Sequence, residues 1–253
     1  MNSCKALKTK IFTPIIHGNE KGQKIKYKLG KEIPSIKPRC LINANNNSNS
    51  QKFYEVITKI KNQIISKGNK SIFNMQKILL KFSEDINESL ITFDDLCNLF
   101  EVLEINITGE EVELIFDELN GRKIGYINYD SLIKNIIGCS LNRRRQNIIT
   151  NLYYSLNNDN NHNFIYIEDL KRIFNPGGYN YIFGENKNNE FIYYDYIDNL
   201  DIFINYINKL RGENLNTLNY EEFLRYFEQV SMYFMNDEFF EDYIKSCWYI
   251  NIR

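Results

Sequence analysis

Four ten-residue strings align without a gap: ITFDDLCNLF (91–100), INYDSLIKNI (127–136), IYIEDLKRIF (165–174) and LNYEEFLRYF (218–227). Each opens on Ile or Leu, carries an acidic residue in fourth place and Leu or Phe in sixth, and is mostly apolar in ninth and tenth. The last three apolar places follow i, i+3, i+4, which sets them on one face of a helix. The strings start 36, 38 and 53 residues apart, and an amphipathic run precedes each: MQKILLKF (75–82), VELIFDEL (112–119), IITNLYYSL (148–156) and IFINYINKL (202–210). Every unit therefore reads as helix, short polar loop, one β-like apolar residue, helix.

That order is the plan of the EF-hand, in which a 12-residue loop joins two helices and its eighth residue pairs with the same residue of a second loop. Taking Ile91, Ile127, Ile165 and Leu218 as eighth residues puts Asp95, Ser131, Asp169 and Glu222 in twelfth place. A hand alone leaves its loop edge unpaired, so hands come in twos. The reading is an all-α fold of two EF-hand pairs, calmodulin-like lobes with short loop β-bridges. Its parts are a basic, Pro/Asn-rich arm and linker (1–50), a first pair (51–139), and a second pair with a C-terminal amphipathic helix (140–253). The strings, and above all the ending LNYEEFLRYFEQVSMYFMNDEFFEDYIKSCW, resemble the calcyphosin family of four-EF-hand proteins, which close on a short acidic-aromatic helix ending in Trp. The resemblance spans about Ile60 to Trp248 and is most specific from Val230-Ser231 to Phe239. It implies a calcium-binding ancestry. The arm and the stretch GGYNYIFGENKNNE (177–190) lie outside it.

Calcium needs six to eight oxygens, drawn from carboxylates at loop positions 1, 3 and 5 and a bidentate Glu at 12. Loop 1 (84–95) offers Glu84, Ile86, Glu88 and Asp95, with Ser89 where a turn glycine belongs. Loop 2 (120–131) keeps Gly125 but presents Arg122, Ile124 and Ser131. Loop 3 holds one residue more than the pattern. Counted back from Ile165 it gives Asn158, Asn160, His162 and Asp169. Counted forward from Leu156 it gives Asn157, Asp159, Asn161, the Asn163 carbonyl and Glu168, the best oxygen set in the chain. Loop 4 (211–222) keeps Glu222 but starts on Arg211 and has Leu215 in fifth place. Calcium binding is expected to be weak at best and centred on loop 3.

Charge is uneven. Residues 1–40 hold ten cations and two anions, a net +8, so with −1 overall the remainder is −9. Lys21, Lys24, Lys26, Lys28 and Lys31 alternate with small or apolar residues, a pattern suited to lying along an acidic surface. An acidic cytoskeletal or axonemal assembly and an anionic membrane face both fit, and nucleic acid ranks lower, since Tyr27 alone could stack on a base there. No apolar run reaches transmembrane length, and no secretory apolar core follows the start. Five scattered cysteines without a C-x-x-C read as reduced thiols of a cytoplasmic protein. The nucleophile-elbow, zincin, P-loop and dinucleotide signatures are missing, which argues against an enzyme or a small-molecule substrate. The run after Asn236 sets Phe240, Tyr243, Ile244, Cys247 and Trp248 at helical spacing, either as core or as a plug in the second lobe's target groove. Together these features describe a non-enzymatic scaffold or adaptor whose lobes grip partner helices. The alternative is a weak calcium sensor of the calcyphosin type acting through loop 3.

Overall fold

The computed structural model describes residues 48–82, 89–120, 125–157, 163–184 and 186–248, with two short strands upstream. Those strands, β1 (Ile15–Ile16) and β2 (Ile25–Lys26), pair antiparallel within the stretch read as an extended arm. Helix α1 (Ser48–Ser66) begins inside the segment read as linker. It buries Phe53, Val56, Ile57, Ile60 and Ile64, a helical stripe.

Four helix–strand–helix units follow. They are α2 (Ser71–Phe82), β3 (Leu90–Ile91), α3 (Phe93–Val102); α4 (Gly109–Leu119), β4 (Ile127–Asn128), α5 (Tyr129–Ile137); α6 (Arg143–Leu156), β5 (Phe164–Tyr166), α7 (Ile167–Ile173); and, after an extra helix α8 (Pro176–Phe183), α9 (Asn189–Arg211), β6 (Thr217–Asn219), α10 (Tyr220–Ser231). Helix α11 (Asp237–Trp248) closes the described chain. The fold is thus mainly α-helical with small antiparallel sheets.

The leading residues of the four repeated strings meet two by two: Ile91 opposite Ile127 and Ile165 opposite Leu218, all four buried. Each ladder gains one more bond beyond its strands, from Tyr129 N to the Ser89 carbonyl (3.0 Å) and from Ile167 N to the Asn216 carbonyl (3.1 Å). Three exit helices are capped by the second residue of their string. Thr92, Asn128 and Asn219 each accept a backbone N–H from the first turn, while Tyr166, with no acceptor suited to the task, makes no such bond.

The two halves form one contiguous core. Helix α1 lies across α4 and α5, and α11 packs on α8 and α6. Helices α2 and α9 join the halves by packing on each other. Phe73 meets Tyr226 (5.8 Å between ring centres) and Tyr129 meets Tyr206 (5.7 Å), while Ile72 N donates to the Tyr233 hydroxyl (3.1 Å). Among the described residues Cys97 and Cys247 are free thiols. Among the described residues no helix is long and apolar enough to cross a membrane.

Candidate functional site

The sequence reading set its candidate ion ligands in the four loops between the paired helices, and the partners of their oxygens bear on that expectation. In loop 1 the twelfth residue, Asp95, is consumed locally. Its Oδ2 accepts from Thr92 N (2.9 Å) and from the Thr92 hydroxyl (2.7 Å), and Asp95 N donates back to Thr92 Oγ1 (3.1 Å). This reciprocal cap satisfies the start of α3 and engages Oδ2 of the carboxylate with Thr92. Glu84, Ile86 and Glu88 lie outside the described residues.

In loop 2, Gly125 sits at φ +79°, the left-handed turn for which glycine is used at this place. Ser131 N donates to Asn128 Oδ1 (3.1 Å), a cap with no carboxylate in it. The neighbouring Asp130 serves the contact between halves. It accepts from the Tyr206 hydroxyl (2.5 Å) and from Arg225, and pairs with Lys134 at 2.8 Å. Burial, then the Asp130 charge, pushes the Tyr206 phenol well above its ordinary range, so it stays a donor. Arg122 and Ile124 lie outside the described residues.

Loop 3 carried the best sequence-derived ligand set. Of that set Asn157, Asn163 and Glu168 are described, whereas Asp159 and Asn161, with Asn158, Asn160 and His162 of the other register, lie outside the described residues. Asn157 ends α6, its N–H donating to the Tyr154 carbonyl (3.2 Å). The Asn163 carbonyl accepts the Tyr153 hydroxyl at 2.8 Å. Glu168 is 81% exposed and pairs with Lys171 (3.3 Å), which also holds Asp201 (2.9 Å); Asp169 pairs with Arg172 (2.8 Å). Of the described members of the set, the Asn163 carbonyl and the Glu168 carboxylate thus have different partners within the protein.

Loop 4 is described from end to end. Its first residue, Arg211, points into the loop and its guanidinium meets the last residue, Glu222, through both carboxylate oxygens: Nε to Oε1 at 2.5 Å and Nη2 to Oε2. Nη2 also donates to the Thr217 carbonyl (2.9 Å), the seventh-place oxygen, and Nη1 to Asn208 Oδ1 (3.3 Å). Asn208 Oδ1 further accepts Leu215 N (3.2 Å), bracing the turn from the preceding helix. Glu222 Oε2 completes a cap on α10 by accepting Asn219 N (2.8 Å). Both charged side chains are largely buried, at 16% and 13% exposure. Sequence reading placed Arg211 and Glu222 at the two ends of one loop; their mutual contact arises only once the loop closes.

Of the arm residues, Lys21, Lys24, Lys28 and Lys31 lie outside the described residues, and Lys26 is placed only as part of β2. Two features went unread in the sequence. One is α8, whose signal is Asn175 before Pro176: Asn175 Oδ1 accepts Gly177 N (3.1 Å), and Pro opens the helix without a missing bond. The other is Arg145 of α6, which ties α6 to the end of α10 and the start of α11. Among the described residues no group of three or more His, Cys, Asp or Glu side chains comes together in a way that could hold a metal. No family model and no curated protein matches the chain.

Proposed function

We propose that the chain is a calcyphosin-like EF-hand scaffold, two pairs of hands joined through their loops, which binds partner proteins without enzymatic activity and without relying on calcium. The observation that carries this reading is the fate of the loop oxygens. Where a working loop would aim Asp95, the Asn163 carbonyl and Glu222 at an ion, each is engaged by the protein's own Thr92, Tyr153 or Arg211. The apolar pairs Ile91–Ile127 and Ile165–Leu218 keep the loops docked meanwhile. Carboxylates crowded in an unfilled loop repel, so loops that satisfy themselves fold more readily without metal, and the calcium-driven opening of a sensor is lost.

In this reading α1, packed on α4 and α5, and α11, packed on α6 and α8, occupy the faces a hand pair would offer to a target. Partner proteins therefore meet the outer surface, where Tyr181, Phe191 and Tyr194 stand mostly exposed on α8 and α9. The basic arm adds attachment to an acidic cytoskeletal or axonemal assembly in the cytoplasm. Calorimetric titration with about 1 mM calcium tests the first part, that being the weak end of EF-hand affinities. No heat and no spectral change are expected, whereas a response abolished by Glu168→Gln overturns the reading in favour of a loop 3 sensor. For the second part, deletion of residues 1–50 is expected to remove cosedimentation with an acidic polymer at physiological salt; unchanged cosedimentation sinks the arm's role.

A further inference from the structure

We propose that Arg211 is the resident cation of loop 4: its guanidinium takes the central place a divalent ion would take, and removing it uncovers a divalent-cation site. The proposal rests on reading residues 211–222 as an EF-hand loop, and deepens that reading by assigning what fills it.

Four oxygens from three residues converge on the guanidinium: both Glu222 carboxylate oxygens, the Thr217 carbonyl and Asn208 Oδ1. All are hard oxygens of the kind calcium selects, and three of the four come from the places, seventh and twelfth, that supply the backbone and bidentate ligands of a filled loop. The Arg is nearly buried and planar, with its donors fanned in one plane, so one side chain serves several acceptors that an ion would serve radially. A surface ion pair has no need of a loop carbonyl and a side-chain amide in addition to the carboxylate. The consequence is mechanical as well as electrostatic. Arg211 ends α9 and Glu222 lies in the first turn of α10, so the contact fixes the angle between these helices as a bound ion does in a filled hand.

Loss of the guanidinium would leave its acceptors in place. Truncation at Arg211 puts the Glu222 carboxylate, the Thr217 carbonyl and the Asn208 amide around a space without a positive charge. That set plus water suffices for calcium or a lanthanide at the weak end of the EF-hand range.

The experiment compares the full chain with Arg211→Ala, Arg211→Gln and Arg211→Ala/Glu222→Gln, using terbium luminescence sensitised by nearby tyrosines and thermal unfolding with and without about 5 mM calcium. The expected result is that Arg211→Ala unfolds at a lower temperature than the parent and regains part of the loss in calcium. It also shows saturable terbium luminescence that the parent and the double variant lack. Arg211→Gln, which keeps most of the volume without the charge, is expected to behave likewise and serves if Arg211→Ala does not fold. Variants that fold, are destabilised and gain nothing from calcium or terbium overturn the proposal, and Arg211 is then an ordinary ion pair. Amide exchange of Ile165 and Leu218 in the parent separates this from failure of the underlying reading. Slow exchange there with no cation gain leaves the hand intact and removes only the resident cation, whereas fast exchange removes both.

Discussion

Arg145 shows what a single residue is asked to do in this molecule. It is 6% exposed, and its guanidinium donates to Asp237 Oδ1 (2.7 Å), to the Ser231 carbonyl and hydroxyl (2.9 Å each) and to the Phe234 carbonyl (3.0 Å), with the Phe240 ring 5.2 Å away. The turn from α10 to α11 is thus held by one side chain from α6, beside its own Phe234 N–H on the Ser231 carbonyl (3.1 Å). Removing it leaves those acceptors buried, so Arg145→Ala is expected to cost about 3 kcal/mol in urea unfolding. Arg145→Lys should recover less than half, lacking the planar fork. Acid acts on the same contact. Burial alone would raise the Asp237 carboxyl, but donors from Asn142 and Arg145 outweigh it and hold it below its ordinary value. Lys59, then the Thr108 N–H, lowers Glu111, and Lys245, then Arg144, lowers Glu241. A carboxyl depressed in the folded state stabilises fully above its unfolded value, about pH 4, and that contribution is lost as pH falls through the folded value. Urea midpoints are therefore expected to fall steeply below about pH 4, and less steeply in Arg145→Ala, where Asp237 has lost a partner.

Among the elements, α8 and α11 are fitted to each other most closely. Asn175, just before α8, caps the end of α11 by donating N–H to the Cys247 carbonyl (2.7 Å) and Nδ2 to the Ser246 carbonyl (3.1 Å). Gly178 lets the two backbones touch, and a methyl group there would overlap the Ser246 carbonyl. Gly178→Ala is expected to cost about 1–3 kcal/mol and to red-shift the emission of Trp248, the chain's one tryptophan, as α11 is pushed off its seat. Gly109→Ala, in open space at the start of α4, serves as the control and should leave both readings unchanged. The sequence made the strand partners readable because an isolated Ile or Leu ahead of a three-place apolar stripe is a rule repeated four times. It made α11 readable for a similar reason: Phe240, Tyr243, Ile244, Cys247 and Trp248 fall on one buried face, and Asn236 accepts Phe239 N at 2.7 Å. Helix α8 hid because its eight residues include Gly177 and Gly178, poor helix formers, and only its partner explains them. The start of α1 hid differently. Its apolar stripe was present, but the Asn/Ser tract before it reads as linker, and nothing local says where linker ends.

Across the whole molecule, the joining of the two halves decides how it responds to damage. Helix α2 belongs to the first half by its chain order, yet it packs on α9 of the second. Asp130 of α5 is held by Tyr206 and Arg225 from across the same boundary. Lys61 of α1 donates to the Ile137 carbonyl; burial lowers its pKa, and the opposing charge is that of Glu228 on α10, whose own carboxyl burial raises. Separating the halves would expose these groups and the Phe73, Phe203, Tyr206 and Tyr226 rings together, so neither half keeps its stability when the other unfolds. Leu99 of α3 is fully buried in the first half, and Leu99→Ala should cost about 2–5 kcal/mol through the cavity it leaves. Trp248 sits in the second half, packed against Phe174, Tyr196 and Phe227, and makes no contact with that cavity. If the core is shared, its fluorescence transition in urea moves to lower denaturant by the same amount as the helical circular dichroism of the whole chain. A Trp248 transition that stays in place while part of the helical signal melts early would mean the halves fold as independent lobes, with α2 and α9 in contact but not in energetic register.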